Sequence, residues 1–188
     1  MTRLLALEAS VLVVVDAQPG FGDAPADGVV ARIGWLAAVA AALGVPIVVT
    51  EEDPDRNGRT SEAIRQVLPE TTPVLVKPVF GLADVPAILA AIEATGRTTA
   101  VLVGMETDVC VTQSALGLLD RGYRVAVVED ATYAPHGAHE AGIRRMTGAG
   151  VEVLHARGVY YEWVRSVDAA RRFELEHPEL REPPGFRL

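Results

Sequence analysis

Short apolar runs without interrupting polar residues recur along this chain. The first covers residues 11–15, a β-branched run that ends at Asp16, and a second covers residues 98–103. Continuous apolar residues over four to eight positions are typical of strands that are covered on both faces, as in parallel sheets. The pattern predicts strands at residues 11–15, 46–50, 73–76, 98–103, 124–129 and 151–154.

Helix-like segments lie between these strands. They are predicted at residues 27–43, 61–68, 84–95, 111–119 and 136–149, and glycine follows several of them. Strands that alternate with helices every ~25–30 residues favour right-handed crossovers and a parallel sheet. The fold class predicted is therefore α/β, a three-layer α/β/α arrangement with a six-stranded parallel sheet. We expect a single domain over residues 1–188, with a proline-containing C-terminal arm over about residues 173–188.

Charge and composition argue against several classes of protein. The net charge is −8 and no basic stripe is visible, so we expect no nucleic-acid partner. No apolar run reaches the ~20 residues that a membrane span needs, and Glu8 interrupts what would be a signal peptide. One cysteine excludes an internal disulfide framework, which fits a reducing compartment. We expect a cytoplasmic protein that acts on a small molecule.

Three chemically capable residues follow predicted strands. Asp16 ends the first strand, Lys77 ends the third, and Cys110 lies at the turn after the fourth. Ligands of such sheets bind at the carboxyl ends of the strands. A thiol near a helix N-terminus and beside a lysine is expected to have a lowered pKa and to act as a nucleophile. Each residue alone also fits an ordinary structural role, as a packing cysteine, a turn carboxylate or a solvated lysine.

Several motifs carry a family resemblance. They are the pattern Asp-x-Gln-x-x-Phe at residues 16–21, Lys77 with Phe80 three residues later, the segment 104–111 (GMETDVCV), and residues 127–131 followed by His136. In this order, over roughly residues 10–155, the chain resembles the isochorismatase-like cysteine hydrolases. This family includes nicotinamidases and N-carbamoylsarcosine amidases.

The resemblance implies a catalytic triad of Asp16, Lys77 and Cys110. It also implies a non-proline cis peptide between Met105 and Glu106, and an oxyanion hole formed by the backbone N–H groups of Glu106 and Cys110. The implied reaction is hydrolysis of a C–N bond in a small amide, ureide or imide through a thioester on Cys110. Relatives are commonly oligomeric, so we expect a homo-oligomer, either a dimer or a tetramer.

Four further residues are candidates for substrate binding. Gln18 would orient the substrate or Asp16, or brace its loop, and Phe21, Phe80 and Tyr133 would line the pocket unless they serve ordinary loop packing. Nicotinamidases carry a metal site with histidines after strand two, whereas residues 51–55 here contain acids and no histidine. We therefore expect no metal and no cofactor. A solvated loop is the expectation for these acids, and a site for a hard cation is the alternative.

Other functions stay open at this point. Isochorismatases cleave a vinyl ether, for which Asp16 would serve as the acid, and an inactive relative would serve as an interaction protein. A dinucleotide-binding oxidoreductase needs Gly-x-Gly-x-x-Gly directly after the first strand. Residues 20–25 start that pattern and end it in proline.

Overall fold

The computed structural model describes residues 3–21 and 26–186. Its sheet has six strands, all pairing in parallel, in the order β3-β2-β1-β4-β5-β6. This confirms the predicted fold class. The strands are β1 (Ser10–Val15), β2 (Ile47–Glu52), β3 (Val74–Lys77), β4 (Thr99–Met105), β5 (Arg124–Tyr133) and β6 (Glu152–Leu154).

Helices cover both faces of the sheet. They are α1 (Ala26–Ala42), α2 (Pro54–Asn57), α3 (Glu62–Arg65), α4 (Pro86–Glu93), α5 (Thr112–Asp120), α6 (Ala138–Ala149), α7 (Ala156–Val164) and α8 (Val167–Glu176). A π-helical turn, Thr107–Val111, joins β4 to α5. Short 3₁₀ segments occur at Leu7–Ala9, Pro19–Phe21, Leu82–Asp84 and Pro178–Leu180.

Strand β1 shows why its apolar run is continuous. Leu12 and Val14 belong to one buried cluster, with residues of α1 and α7. Val11, Val13 and Val15 belong to the cluster on the other face, with residues of α4 and α5. Successive side chains of a strand point to opposite faces, so a strand between two helical layers needs apolar residues at every position.

Several element boundaries differ from the sequence prediction, and two of these differences concern the segments that carry Glu52 and Cys110. Strand β2 continues to Glu52, two residues beyond the predicted end, because its last residues still pair with β3 as far as Lys77. The segment after β4 makes a π-helical turn before α5 begins at Thr112, where the sequence predicted a helix from residue 111. Helices α7 and α8 were not predicted.

The C-terminal segment packs on its own domain. Phe173 is buried in the cluster that contains α1, and the indole N–H of Trp35 donates to the carbonyl of Leu180 at 2.9 Å. These contacts describe a tail folded back on its own domain over residues 173–180. Leu175 is the exception, with 83% of its surface exposed.

The β3 edge of the sheet leaves apolar side chains in contact with solvent. Val74 and Val76 on β3 are exposed, and so are Val79 and Phe80 in the segment that follows. Large apolar side chains that cluster on a surface are typical of interfaces. Within residues 3–21 and 26–186, none of the helices combines the length and the apolar character required to cross a membrane.

Candidate active site

The candidate site lies where the strand order reverses direction. Strand β1 pairs with β2 on one side and with β4 on the other. Crevices at this kind of switch point, beyond the carboxyl ends of the strands, are where ligands of open α/β sheets bind. Asp16 follows β1, Glu52 ends β2, Lys77 ends β3, and Cys110 lies in the turn after β4.

Asp16 and Lys77 form a buried ion pair. The ammonium nitrogen Nζ lies 2.6 Å from Oδ2 of Asp16, and neither side chain is exposed to solvent. The hydroxyl of Thr50 donates to Oδ1 of Asp16 at 2.7 Å, and Lys77 also donates to the carbonyl of Val79 at 3.1 Å. Asp16 adopts a left-handed backbone conformation, with φ of 46°. The pair is thus held in place by groups from β2 and from the segment after β3.

Cys110 faces this ion pair from the π-helical turn. It is buried, with 1% of its surface exposed. Its sulfur lies 3.6 Å from Oε2 of Glu52, and the sulfur and the carboxylate oxygens of Asp16 and Glu52 all lie within 4.8 Å of one another. The structure thus brings together the three residues of the predicted triad and adds a fourth, Glu52, that the sequence prediction missed.

The sequence prediction missed Glu52 because this residue lies two positions beyond the predicted end of β2. The prediction ended this strand at residue 50, which assigned Glu51 and Glu52 to a solvated loop. That assignment is wrong for both residues, because β2 continues through them. Glu51 is buried and Glu52 is half-buried, whereas Asp53 and Asp55 beyond the strand are exposed.

The resting thiol is protonated rather than ionised. Burial raises the pKa of Cys110 to about 12, the negative charges of Asp16 and Glu52 act in the same direction, and the Lys77 ammonium opposes them. The expectation of a lowered pKa is therefore wrong. That expectation rested on the helix N-terminus and the lysine, which lower a thiol pKa, and left out the two carboxylates beside the sulfur, which raise it.

The pKa of Asp16 is higher than that of an ordinary aspartate. Burial raises its pKa above 3.8, and the Lys77 charge and the hydrogen bonds to the carboxylate oppose this rise. The ionised form that can take a proton therefore disappears at a higher pH than it does for an exposed aspartate.

Gly104 shapes the end of β4 beside Asp16. Its φ of 129° is a conformation that favours glycine, and an added Cβ would lie 1.8 Å from the carbonyl oxygen of Val15. The peptide bond between Met105 and Glu106, at the end of β4, is cis, as the resemblance implies. Glycine at this position therefore lets β4 lie against the end of β1.

The π-helical turn is supported from α6. Gly142 lets this helix approach closely, since an added Cβ would lie 2.8 Å from Cα of Asp108. Thr107 shares a 2.9 Å hydrogen bond with Nδ1 of His139. The carbonyl of Glu106 accepts from two N–H groups further along the turn. Glu106 and Cys110, the residues of the predicted oxyanion hole, thus belong to one braced turn, and their action as a pair of donors stays a prediction.

Gln18 braces the end of β2. Its Oε1 accepts from the backbone N–H of Glu52 at 2.7 Å, and its Nε2 donates to the carbonyls of Glu52, at 3.0 Å, and Gly58. Glu51 also links the end of β2 to the segment before α3, because its carboxylate accepts from the N–H of Thr60 at 2.7 Å and from the hydroxyl of Thr60 at 2.8 Å. Of the roles considered for Gln18, these contacts correspond to bracing the loop, and the bracing fixes Glu52.

The three aromatic candidates lie on segments that border the site. Phe21 is half-buried at the end of a 3₁₀ segment after β1, and Tyr133 is half-buried at the end of β5, where it pairs in register with Met105. Phe80 is half exposed, one residue after the Val79 carbonyl that Lys77 contacts. Contact of these residues with a substrate stays a prediction.

Asp16, Glu52 and Cys110 also have the chemistry of a metal site. Each offers one ligand atom, and the three atoms lie close enough to share one ion. A thiolate with two carboxylates suits a borderline cation such as Zn²⁺. The ammonium of Lys77, 2.6 Å from Asp16, already supplies a positive charge to this carboxylate.

Comparisons with known proteins agree on one family. Residues 10–157 match the isochorismatase domain. The chain is 31% identical over 146 residues to isochorismatase domain-containing protein 1 of Danio rerio, which covers 74% of this chain and 46% of that protein. The chain therefore spans about half the length of this curated relative.

Solved structures with the same architecture cover nearly all of the chain. The MAR1 ribonuclease of Caenorhabditis elegans superposes with a TM-score of 0.84 at 25% identity and covers 98% of both chains. YcaC of Pseudomonas aeruginosa, solved with a covalent acrylamide, has a TM-score of 0.82 at 25% identity and covers 96% of this chain and 95% of its own. YcaC of Escherichia coli, an octameric hydrolase of unknown specificity, has a TM-score of 0.84 at 24% identity and covers 96% and 94%.

Proposed function

This chain belongs to the isochorismatase family, and on that basis we propose that it is a cysteine hydrolase that cleaves a C–N bond of a small amide, ureide or imide. One observation carries the proposal. The buried Asp16–Lys77 pair, at 2.6 Å, lies beside the only cysteine of the chain, whose sulfur is within 4.8 Å of the Asp16 carboxylate. A base, a cation and a nucleophile in contact are the requirements of covalent acyl transfer.

The first half of the reaction acylates Cys110. Asp16 takes the thiol proton as the sulfur attacks the substrate carbonyl, so that a thiol with a pKa of about 12 need not ionise beforehand. The carbonyl oxygen becomes an oxyanion, and the N–H groups of Glu106 and Cys110 would donate to it. The C–N bond then breaks, Asp16 returns its proton to the leaving nitrogen, and a thioester remains.

The second half releases the acid. Asp16 takes a proton from water as the water oxygen attacks the thioester, the C–S bond breaks, and the proton returns to the sulfur. Lys77 would stay protonated throughout, since it holds the Asp16 carboxylate in position and stabilises the negative charge that develops on sulfur. Each proton taken by Asp16 is thus returned within the same half-reaction.

A reactive nucleophile is supported by one relative. YcaC of Pseudomonas aeruginosa was solved with a covalent acrylamide. The ribonuclease activity in the name of the Caenorhabditis elegans protein is not extended to this chain, because acidic side chains at residues 52, 106 and 108 and a net charge of −8 oppose a phosphate backbone. We expect no degradation of RNA.

Two substitutions distinguish thioester chemistry from acid-catalysed cleavage of a vinyl ether. Wild-type protein, Cys110→Ala and Asp16→Asn would be incubated with a panel of small amides, ureides, imides, activated esters and a vinyl ether. Product formation and intact mass would be followed together. Cys110→Ala is expected to lose turnover of the C–N substrates completely. Asp16→Asn is expected to lose about 10²–10⁴-fold, the usual contribution of a general acid–base group.

An acyl adduct on Cys110 is the signature of the proposed intermediate. With an activated ester, Asp16→Asn is expected to accumulate this adduct, because the same residue is needed to hydrolyse it. The double variant should be little worse than either single variant, since the residues act as a unit. Near-normal turnover in Cys110→Ala together with its loss in Asp16→Asn would refute covalent catalysis and support the vinyl-ether reaction.

A further inference from the structure

Glu52 points at the reactive sulfur but takes no part in the proposed acylation. We propose that Glu52 is a specificity-determining residue that selects substrates with a positively charged group, such as an ammonium, amidinium or guanidinium, next to the scissile bond. This inference rests on the proposed function, because it names the substrate class of the same site.

The position of Glu52 is built into the fold. Its carboxylate oxygen lies 3.6 Å from the sulfur of Cys110, so it contacts whatever group flanks a carbonyl under attack. The amide of Gln18 holds the backbone of Glu52 on both its N–H and its C=O, and Asn57 donates to the same carbonyl at 3.0 Å. Three hydrogen bonds to one peptide segment keep this side chain at the site.

No positive charge of the described residues neutralises Glu52. The one buried cation nearby, Lys77, pairs with Asp16 at 2.6 Å, and within residues 3–21 and 26–186 no lysine, arginine or histidine nitrogen lies within 4.0 Å of the Glu52 carboxylate. The Asp16–Lys77 pair has no net charge. The site therefore retains the negative charge of Glu52 next to the Cys110 sulfur.

Two further acids strengthen this negative field. Glu106 and Asp108 belong to the same turn as the nucleophile, and we call Glu52, Glu106 and Asp108 the acidic rim. Burial raises the pKa of Glu106, and the charges of Asp108 and Glu52 raise it further. A bound cation would relieve this repulsion, whereas an anion would add to it.

The single cysteine allows a direct test that needs no substrate. Methanethiosulfonate reagents that carry a trimethylammonium, a methyl or a sulfonate group would be reacted with the native protein in the presence of EDTA. Each reagent forms a mixed disulfide with the Cys110 thiolate and releases methanesulfinate. The rates would be measured by intact mass for the wild type, Glu52→Gln, Glu52→Asp and Asp55→Asn. Asp55 is an exposed acid of α2, three residues beyond Glu52, so Asp55→Asn makes the same change in net charge away from the sulfur.

The measured quantity is the ratio of the cationic to the anionic rate. Loss of Glu52 also changes the pKa of the thiol, but this changes both rates equally and cancels in the ratio. We expect Glu52→Gln to lower the ratio about tenfold or more, equivalent to about 1.4 kcal/mol. Glu52→Asp, which keeps the charge, and Asp55→Asn should retain the wild-type ratio. Melting curves of the variants would confirm that they are folded.

Two results would overturn the proposal. One is a ratio in Glu52→Gln within about twofold of wild type, and the other is an equal fall in Asp55→Asn, which would assign the effect to net charge alone. In the hydrolysis assay, Glu52→Gln should lower kcat/KM for a cationic amide more than for its neutral isostere. The labelling ratio reports on Glu52 even if Cys110 proves not to be a catalytic nucleophile, so failure of the proposed function and failure of this inference give different results.

Discussion

Replacement of Lys77 by methionine should turn a buried ion pair into a buried, uncompensated charge. Lys77 and Asp16 lie 2.6 Å apart and neither side chain is exposed. Methionine has a similar length and fills the same space, so the main change is the loss of the positive charge. Breaking one partner of a buried pair typically costs about 3–5 kcal/mol, because the remaining charge loses its counter-ion and stays out of water.

The cost should depend on pH in a defined direction. Burial already raises the pKa of Asp16 above 3.8, and Lys77→Met removes the charge that opposes this rise. The folded variant then keeps a proton on Asp16 at pH values where the unfolded chain has lost it. Its free energy of unfolding therefore falls as pH rises from 3.8 towards the folded pKa.

Urea unfolding at a series of pH values would measure this effect. The matched control is Arg65→Met, which removes a cation from an exposed pair with Glu62 at 3.2 Å and should cost about 1 kcal/mol or less. The double variant Asp16→Asn/Lys77→Met removes both charges and should recover most of the stability. A loss below about 1 kcal/mol for Lys77→Met, or a loss that does not change with pH, would refute the account of Asp16 as a buried anion held by Lys77.

Four other outcomes follow from the same structure. The rate of alkylation of Cys110 by iodoacetamide should rise with pH towards an apparent pKa of about 12, and a plateau at or below pH 8.5, the value of a free thiol, would contradict a protonated resting thiol. Dialysis against a chelator should leave hydrolysis intact, because Lys77 supplies the positive charge at Asp16; loss of activity together with stoichiometric metal would oppose this. Gly104→Ala should destabilise the protein by more than about 3 kcal/mol in thermal melts, because its Cβ would collide with β1, whereas Gly148→Ala, with nothing within 4 Å, should be neutral or stabilising. Light scattering should detect an oligomer that Val76→Glu, on the exposed edge of β3, dissociates, and a monomeric wild type would end this prediction.

Sequence alone predicted the architecture and the meeting of three residues at one edge of the sheet. Continuous apolar runs predicted strands covered on both faces, and β1 satisfies this with side chains that alternate between the two clusters. Asp16, Lys77 and Cys110 were predicted to meet because they follow strands that end at one edge of a parallel sheet. These inferences succeed because they depend on short-range patterns and on the parallel direction of the strands, both of which can be read locally.

Tertiary structure alone decided the charge state of the site and the place of Glu52. The end of β2 is set by its pairing with β3, which keeps Glu52 in the sheet and beside the sulfur. The pKa of Cys110 is raised by burial and by carboxylates that are distant in the chain, so no local feature of the segment 104–110 predicts it. Electrostatic energies depend on distances and burial after folding, and side-chain contacts between strands cannot be read from spacing along the chain.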